Sequence, residues 1–334
     1  MTPVEALERV VHYLDRAHDK GFKAKAFVRA LEVVRSTPPE EIAERAENDT
    51  LTELDGIGDS TARLVESALR GETPEYLTKL DASTQVAITD AGSVYRAALR
   101  GDCHLHSLWS DGGATIEAMA RTAIGLGHEY MVLTDHSPRL TIAHGLSRER
   151  LEQQLADVAV LNERLAPFRI LTGIEVDILE DGLLDHDNEV LGLLDIVVAS
   201  VHSKLRMDGE QMTERMVRAI ASPHVDILGH CTGRMIGKRP ESSFDADYVF
   251  AACKQFHTAV EINCRPERLD PPRPLLKLAV EYGCFFSIDT DAHATGQLEW
   301  QPHGCDRAAE CEVPIEQVIN TWSVDDLLQW ASAD

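Results

Sequence analysis

The sequence predicts an α/β protein: a closed or nearly closed parallel barrel of seven β-then-α units, preceded by a small all-α domain. Three observations carry this. From about residue 98 onward, seven short apolar segments alternate with amphipathic stretches. Before that, roughly 95 residues read as nearly continuous helix. Finally, an ionisable residue stands at or just past the end of nearly every apolar segment, as expected where barrel strands converge on one rim.

In the first region, residues 1–95, Val4, Leu7, Val10, Val11 and Leu14 recur at helical spacing. Ala26, Val28, Ala30, Leu31, Val33 and Val34 do so again. Pro38-Pro39 ends that helix, and Pro39 can open the next. Leu51 to Leu69 reads as helix, tight turn, helix, with Gly56-Ile57-Gly58 as the turn and Asp59 or Ser60 as N-cap. The pattern weakens over residues 80–97, which places the boundary there.

In the second region, residues 96–334, the predicted strands are Asp102–His106, Tyr130–Thr134, Ile170–Ile174, Ile196–Val201, Val225–Gly229, Ala259–Ile262 and Phe285–Asp289. Ile116–Leu126, Leu151–Leu165 and Met212–Ala221 are helical connections.

The 334 residues carry 32 Lys+Arg against 56 Asp+Glu, a formal charge of −24, which excludes a global basic footprint for nucleic acid or an anionic membrane. A phosphate-bearing ligand therefore needs a local device. The apolar run Leu191 to Val201 is too short to span a membrane and is broken by Asp195. The opening residues do not read as a signal peptide. The 7 cysteines form no Cys-x-x-Cys pair and read as reduced core thiols, so a cytoplasmic location is expected.

The 14 histidines are the informative count. His104 and His106 are two apart and so share one face of a strand; Asp111 follows in the loop. His136, Glu175, His202 and His230 follow later strands, and Asp291 and His293 again share a face. One histidine at a strand end proves little. Six histidines and three carboxylates at successive ends would be costly to bury without cations. Neutral imidazole and carboxylate suit zinc, manganese or iron, and nine groups fit two or three ions sharing a bridging carboxylate.

At these residues the sequence resembles the PHP family, the polymerase and histidinol phosphatase superfamily, above all the PHP domains of bacterial family X DNA polymerases. The resemblance runs from about residue 98 to the C-terminus on DCHLHSLWSDG, LTDHS, GIEVDI, SVHSKLR, GHCTGRMIGKRP, EINCRPERLD and SIDTDAHAT. It implies a distorted (β/α)7 TIM-like barrel, a trinuclear metal centre and phosphoesterase chemistry. By that resemblance His104, His106, Glu175 and Asp291 hold the first metal. Glu175 bridges to a second on His202 and His230, and Asp111, His136 and His293 hold the third. Asp111 stands where some members of the family carry histidine. Glu175, Asp291, His104 and His106 are the expected catalytic set, with a hydroxide held between metals as the attacking group. Arg234, Lys238, Arg239, Arg206 and Arg265 are the expected phosphate contacts.

The first region resembles the small helical domain that opens the same polymerases, on FKAKAFVRALEVV and LDGIGDSTARLVESAL. The latter looks like a helix-hairpin-helix, which implies DNA binding through Gly56, Gly58, Ser60, Lys23 and Lys25. No polymerase palm separates the two regions, so nucleotidyl transfer is not expected. Ser60 and Leu64 stand where related lyase domains carry lysine, which argues against lyase chemistry. The expected activity is metal-dependent phosphoester hydrolysis in DNA repair, as a 3′-5′ exonuclease or a 3′-end phosphodiesterase or phosphatase. The alternatives are a small-molecule phosphatase of the histidinol phosphate type and a non-enzymatic DNA-binding scaffold. The metal, the substrate and the oligomeric state are left open by the sequence.

Overall fold

The computed structural model describes residues 1–332 in two compact units: Met1–Val86 with Thr295–Gln297, and Ala87–Ala294 with the described residues from Leu298 onward. The first contains α1 (Pro3–Arg16), α2 (Phe22–Ser36), α3 (Pro39–Glu47), α4 (Asp59–Leu69) and α5 (Glu75–Thr84). Thr2 and Glu5 form a capping box at the start of α1, whose Pro3 needs no amide partner. Leu7, Val10 and Leu14 of α1 meet Phe27, Leu31 and Val34 of α2 and Leu64 and Val65 of α4 in one apolar core. The expected helix before Gly56 is instead one 3-10 turn, Leu51–Glu53. Too few residues separate Asp49, where the chain turns at φ 55°, from the Gly56 turn to build an α-helix. The N-cap of α4 is Gly58, not Asp59 or Ser60. Its amide donates to Thr61 Oγ1 at 2.9 Å, and that hydroxyl donates back to Gly58 O at 2.8 Å.

The second unit begins with α6 (Asp90–Ala98) and then runs β1 (Gly101–Leu105), α7 (Ile116–Gly125), β2 (Tyr130–Leu133), α8 (Arg148–Leu165) and β3 (Arg169–Asp177). It continues with α9 (Asn188–Leu191), β4 (Ile196–Ser200), α10 (Gly209–Ile220), β5 (Ile227–Leu228), α11 (Ala246–Gln255), β6 (Ala259–Asn263), α12 (Arg273–Glu281), β7 (Phe286–Asp289), α13 (Gln301–Glu310) and α14 (Val324–Ala331). The seven strands lie in sequence order in one sheet, each parallel to its neighbour. All seven expected strands are present. β3 runs further than expected, to Asp177, so Glu175 lies within it.

β1 returns to β7 without a regular ladder. His106 N donates to Ala292 O at 2.8 Å and Asp291 N to His104 O at 2.9 Å. Two buried carboxylates add to the seam: Asp289 Oδ1 accepts from Cys103 N at 2.8 Å, and Asp102 Oδ2 accepts from Thr290 Oγ1 at 2.6 Å. Outside the barrel, Ile116, Met119 and Ala123 of α7 pack on Met131, Leu133 and Ile170. Helices cover the outer faces of the strands and leave the inner faces to point at one another. Among the described residues no helix is long and apolar enough to cross a membrane.

Candidate metal centre

The strand ends bring all nine expected ligand residues to one mouth. His104 ends the inward row of β1, and His106 lies one residue past that strand. Asp111 sits on the loop after β1. Asp135, buried beside it, accepts from Ser107 N at 2.8 Å, Ser107 Oγ at 2.6 Å and Gln154 Nε2 at 2.6 Å, which ties that loop to the barrel. Glu175 is placed by an extension of the β2–β3 pairing: its amide donates to Asp135 O and its carbonyl accepts from Ser137 N, both at 3.1 Å. Asp291 takes a left-handed backbone, φ 52°, between the two seam hydrogen bonds that straddle it.

Glu175 is the hub. Its Oε1 stands 2.9 Å from His230 Nε2 and 3.2 Å from His202 Nε2. Its Oε2 stands 2.9 Å from His136 Nδ1, 3.4 Å from His104 Nε2 and 3.6 Å from His106 Nε2. Asp291 Oδ1 lies 3.5 Å from His106 Nε2, and Asp111 Oδ1 lies 3.5 and 3.4 Å from the Nε2 atoms of His136 and His293. Three groups have donor atoms close enough to share an ion: His106, Asp111, His136 and His293; His104, His106 and Asp291; and His136, Glu175 and His202. His230 stands outside these groups but against Oε1 of Glu175.

The residues fit divalent cations. Both oxygens of Glu175, both ring nitrogens of His106, Nε2 of His104 and Nδ1 of His136 are buried without a hydrogen-bond partner. Each such atom costs about 1–3 kcal/mol unless something else takes its lone pair. So many converging in one place is the donor set of a metal cluster and not of a hydrogen-bonded core. Burial alone would push Glu175 up, but the imidazoles of His202, His104 and His136 hold it well below the ordinary carboxylate range. Burial likewise raises Asp291, and Arg265, His106 and Arg268 bring it well below. Burial together with His293 and His136 pushes His106 well down, to the neutral form a metal requires. Side-chain exposure rises from 0% at His106 to 17% at His293 and 35% at Asp111, so the cluster opens on the Asp111 side.

The expected phosphate contacts divide. Arg265 reaches the cluster, with Nη1 3.4 Å from Asp291 Oδ1 and 3.2 Å from His293 Nδ1. Arg234 is instead a brace for the loop after β6: Nε donates to Arg268 O at 2.7 Å and Nη2 to Leu269 O. Arg239 gives its Nε to Gly233 O at 2.7 Å, closing its own loop. Lys238 and Arg206 are exposed.

Sequence reasoning missed Arg268, whose Nε is 3.2 Å from Asp291 Oδ2, and the buried Glu261 and Asn263 of β6. The signal was present: Glu261 and Asn263 are two polar residues at i, i+2 in an otherwise apolar strand, which puts both on the inner face.

In the first unit, Gly56 takes φ 102° and the side chain of Arg29 lies directly over it, paired with Asp55. The Gly58 amide is taken by Thr61 Oγ1. Lys23 Nζ sits 4.7 Å from the ring centre of Tyr76, while Lys25 and Ser60 are exposed.

The PHP domain family model matches residues 102–263, which contain seven of the nine expected ligand positions; Asp291 and His293 lie beyond it. The chain is 41% identical over 229 residues to the DNA polymerase/3′-5′ exonuclease PolX of Bacillus subtilis, covering 69% of this chain and 40% of that protein's length. It is 32% identical over 206 residues to a probable phosphatase of Thermoanaerobacter sp., covering 58% of this chain and 79% of that one. Among solved structures, histidinol phosphate phosphatase from Lactococcus lactis complexed with zinc, L-histidinol and phosphate matches at 18% identity and a TM-score of 0.45, over 63% of this chain and 93% of that one. With its inward-facing histidine and carboxylate cluster, the family match and the identity to the Thermoanaerobacter protein, the chain belongs to the PHP family of metal-dependent phosphoesterases.

Proposed function

We infer that the chain hydrolyses phosphoester bonds at the ends of DNA strands, as a 3′-5′ exonuclease or a 3′-end phosphodiesterase or phosphatase. The observation that carries the hydrolytic part is the convergence of unpartnered, buried imidazole and carboxylate atoms around Glu175. Three donor groups fit two or three divalent ions, with zinc, manganese and iron all compatible with imidazole and carboxylate. Bound cations supply a water of lowered pKa and draw charge from the phosphoryl oxygens.

The protein's own residues do the rest. Glu175 spans the cluster, one oxygen toward His202 and His230 and the other toward His104, His106 and His136. Asp291 anchors Arg265 and Arg268 beside the open side, where guanidinium groups can take non-bridging oxygens and offset the charge that grows in the transition state.

Support for DNA comes from the pairing of the barrel with a helical unit carrying Lys23 and Lys25, and from the identity to the Bacillus protein named for a 3′-5′ exonuclease. The second reading, a small-molecule phosphatase, is favoured by the coverage of the Thermoanaerobacter probable phosphatase and by the charge of −24. Asp55 and Asp59 beside the Gly56–Gly58 turn also oppose an anionic backbone.

The test is a substrate panel with manganese or zinc: single-stranded DNA, 3′-phosphorylated DNA, histidinol phosphate and an aryl phosphate. Nucleotide or 3′-phosphate release, lost in Glu175→Ala, supports the first reading. Turnover of histidinol phosphate, with no DNA affinity at low salt, replaces it with the second.

A further inference from the structure

Six imidazoles face the cluster, and each must present a lone pair there. Which nitrogen does so is decided by what holds the other one. For His106 and His230 the outer Nδ1 is buried with no hydrogen-bond partner. For His202 it lies 3.3 Å from Asp177 Oδ1. For His104 it lies 2.6 Å from Glu261 Oε1, the closest carboxylate contact to an outer ring nitrogen in the centre.

Glu261 does more than touch one ring. Its Oε2 accepts the backbone amide of His230, and Asn263 Nδ2 donates to the same oxygen at 3.2 Å. Asn263 Nδ2 also stands 3.3 Å from Asp291 Oδ2. One carboxylate on β6, with no solvent exposure, thus ties together ligands from the ends of β1, β5 and β7.

We propose that Glu261 is the positioning residue of the metal centre: it holds the proton of His104 on Nδ1, turns Nε2 toward Glu175, and sets the spacing between the His104 and His230 ligand positions. This rests on the metal-dependent reading above. The chemistry follows from the donor count. With Nδ1–H given to a carboxylate, His104 has one lone pair left, on Nε2, and that nitrogen is 3.4 Å from Glu175 Oε2 with no hydrogen-bond partner. A carboxylate behind the ring also makes that lone pair more basic. A glutamine at position 261 keeps the shape but has only one acceptor oxygen for three donors, His104 Nδ1–H, the His230 amide and Asn263 Nδ2.

Two measurements test it. In zinc-loaded protein, a long-range proton–nitrogen NMR spectrum reads which ring nitrogen of His104 carries the proton, its signal identified by loss in His104→Gln. The expected result is a proton on Nδ1 in the wild type, with that signal lost or moved in Glu261→Gln. A proton on Nε2 in the wild type overturns the proposal. In the second, manganese affinity is measured by chelator competition for wild type, Glu261→Gln and Glu261→Asp. Outer carboxylates of this kind contribute about 10–100-fold in affinity. Glu261→Gln should therefore bind about 10–100-fold more weakly, with kcat partly restored at high manganese and the substrate KM unchanged. Glu261→Asp, which keeps the charge, should fall between the two and guards against a glutamine variant that does not fold. Equal manganese affinity in wild type and in the folded variants overturns this proposal while leaving the hydrolytic reading intact. A wild type that takes up no divalent metal defeats both.

Discussion

The amide of Cys103 donates to Oδ1 of Asp289 at 2.8 Å, across the line where β1 meets β7. That contact replaces a ladder hydrogen bond that the closing strands do not make. Burial, with Asp102 and Glu261 nearby, pushes the Asp289 carboxyl well above its ordinary range. Asp289→Asn keeps an acceptor for Cys103 and should change stability by less than about 1 kcal/mol. Asp289→Ala leaves a buried amide unpaired and should cost about 3 kcal/mol. Urea denaturation of both variants checks the contrast.

Removing the hub of the cluster should cost chemistry and not fold. Glu175→Gln is expected to lower kcat on the order of 10³-fold, since the metal centre supplies several kcal/mol of the barrier reduction. Its circular dichroism should match the wild type. Chelation should lower the melting temperature of the wild type, because cations that bind only the folded state stabilise it by mass action, and should move Glu175→Gln less.

At the far end of the barrel, Asp226 accepts a hydrogen bond from Val197 N at 2.7 Å, and desolvation pushes its carboxyl up to about 8. The unfolded chain gives up that proton near pH 4. A raised carboxyl contributes its stability fully below the unfolded value and loses it as the pH climbs toward the folded one. Wild-type stability should therefore fall between about pH 4 and 8 relative to Asp226→Asn, which carries no charge but keeps an oxygen for Val197. The variant should be the more stable of the two at pH 8.5, by up to about 5 kcal/mol. Identical pH profiles in chemical denaturation would refute the assignment.

The two turn glycines of the first unit should respond differently to the same change. Gly56 has φ 102°, and a Cβ there would meet the Arg29 side chain at 2.8–3.1 Å. Gly56→Ala should cost about 1–2 kcal/mol. Gly58 has an ordinary negative φ and open space around it, so Gly58→Ala should cost about half a kcal/mol, the difference between the two residues as N-cap. If both variants keep wild-type DNA affinity, the turn is not a strand contact.

Arg265→Ala should lower kcat/KM on an aryl phosphate by about 10–100-fold, because a charged donor beside the transferring phosphoryl group is lost. Lys238→Ala, at an exposed position, should leave it within about twofold. Steady-state kinetics at saturating metal separates the two.

The local sequence determined the chemistry and the periodicity. All seven strands are where alternating apolar and helical runs put them, and His104 with His106 share a face because residues two apart on a strand always do. The convergence of the nine expected ligand residues was legible for the same reason: strand ends meet whatever the loops do. The tertiary structure alone decided the rest. Arg234 faces backbone carbonyls while Arg268 faces Asp291, because a long side chain on a loop goes where the loop's folded path sends it. The irregular β1–β7 seam, the bracing of His104 by Glu261 and the hub position of Glu175 all depend on residues far apart in the chain. Spacing within one segment fixes a face, but a ring nitrogen's direction and a carboxylate's partner are set by what another strand brings opposite.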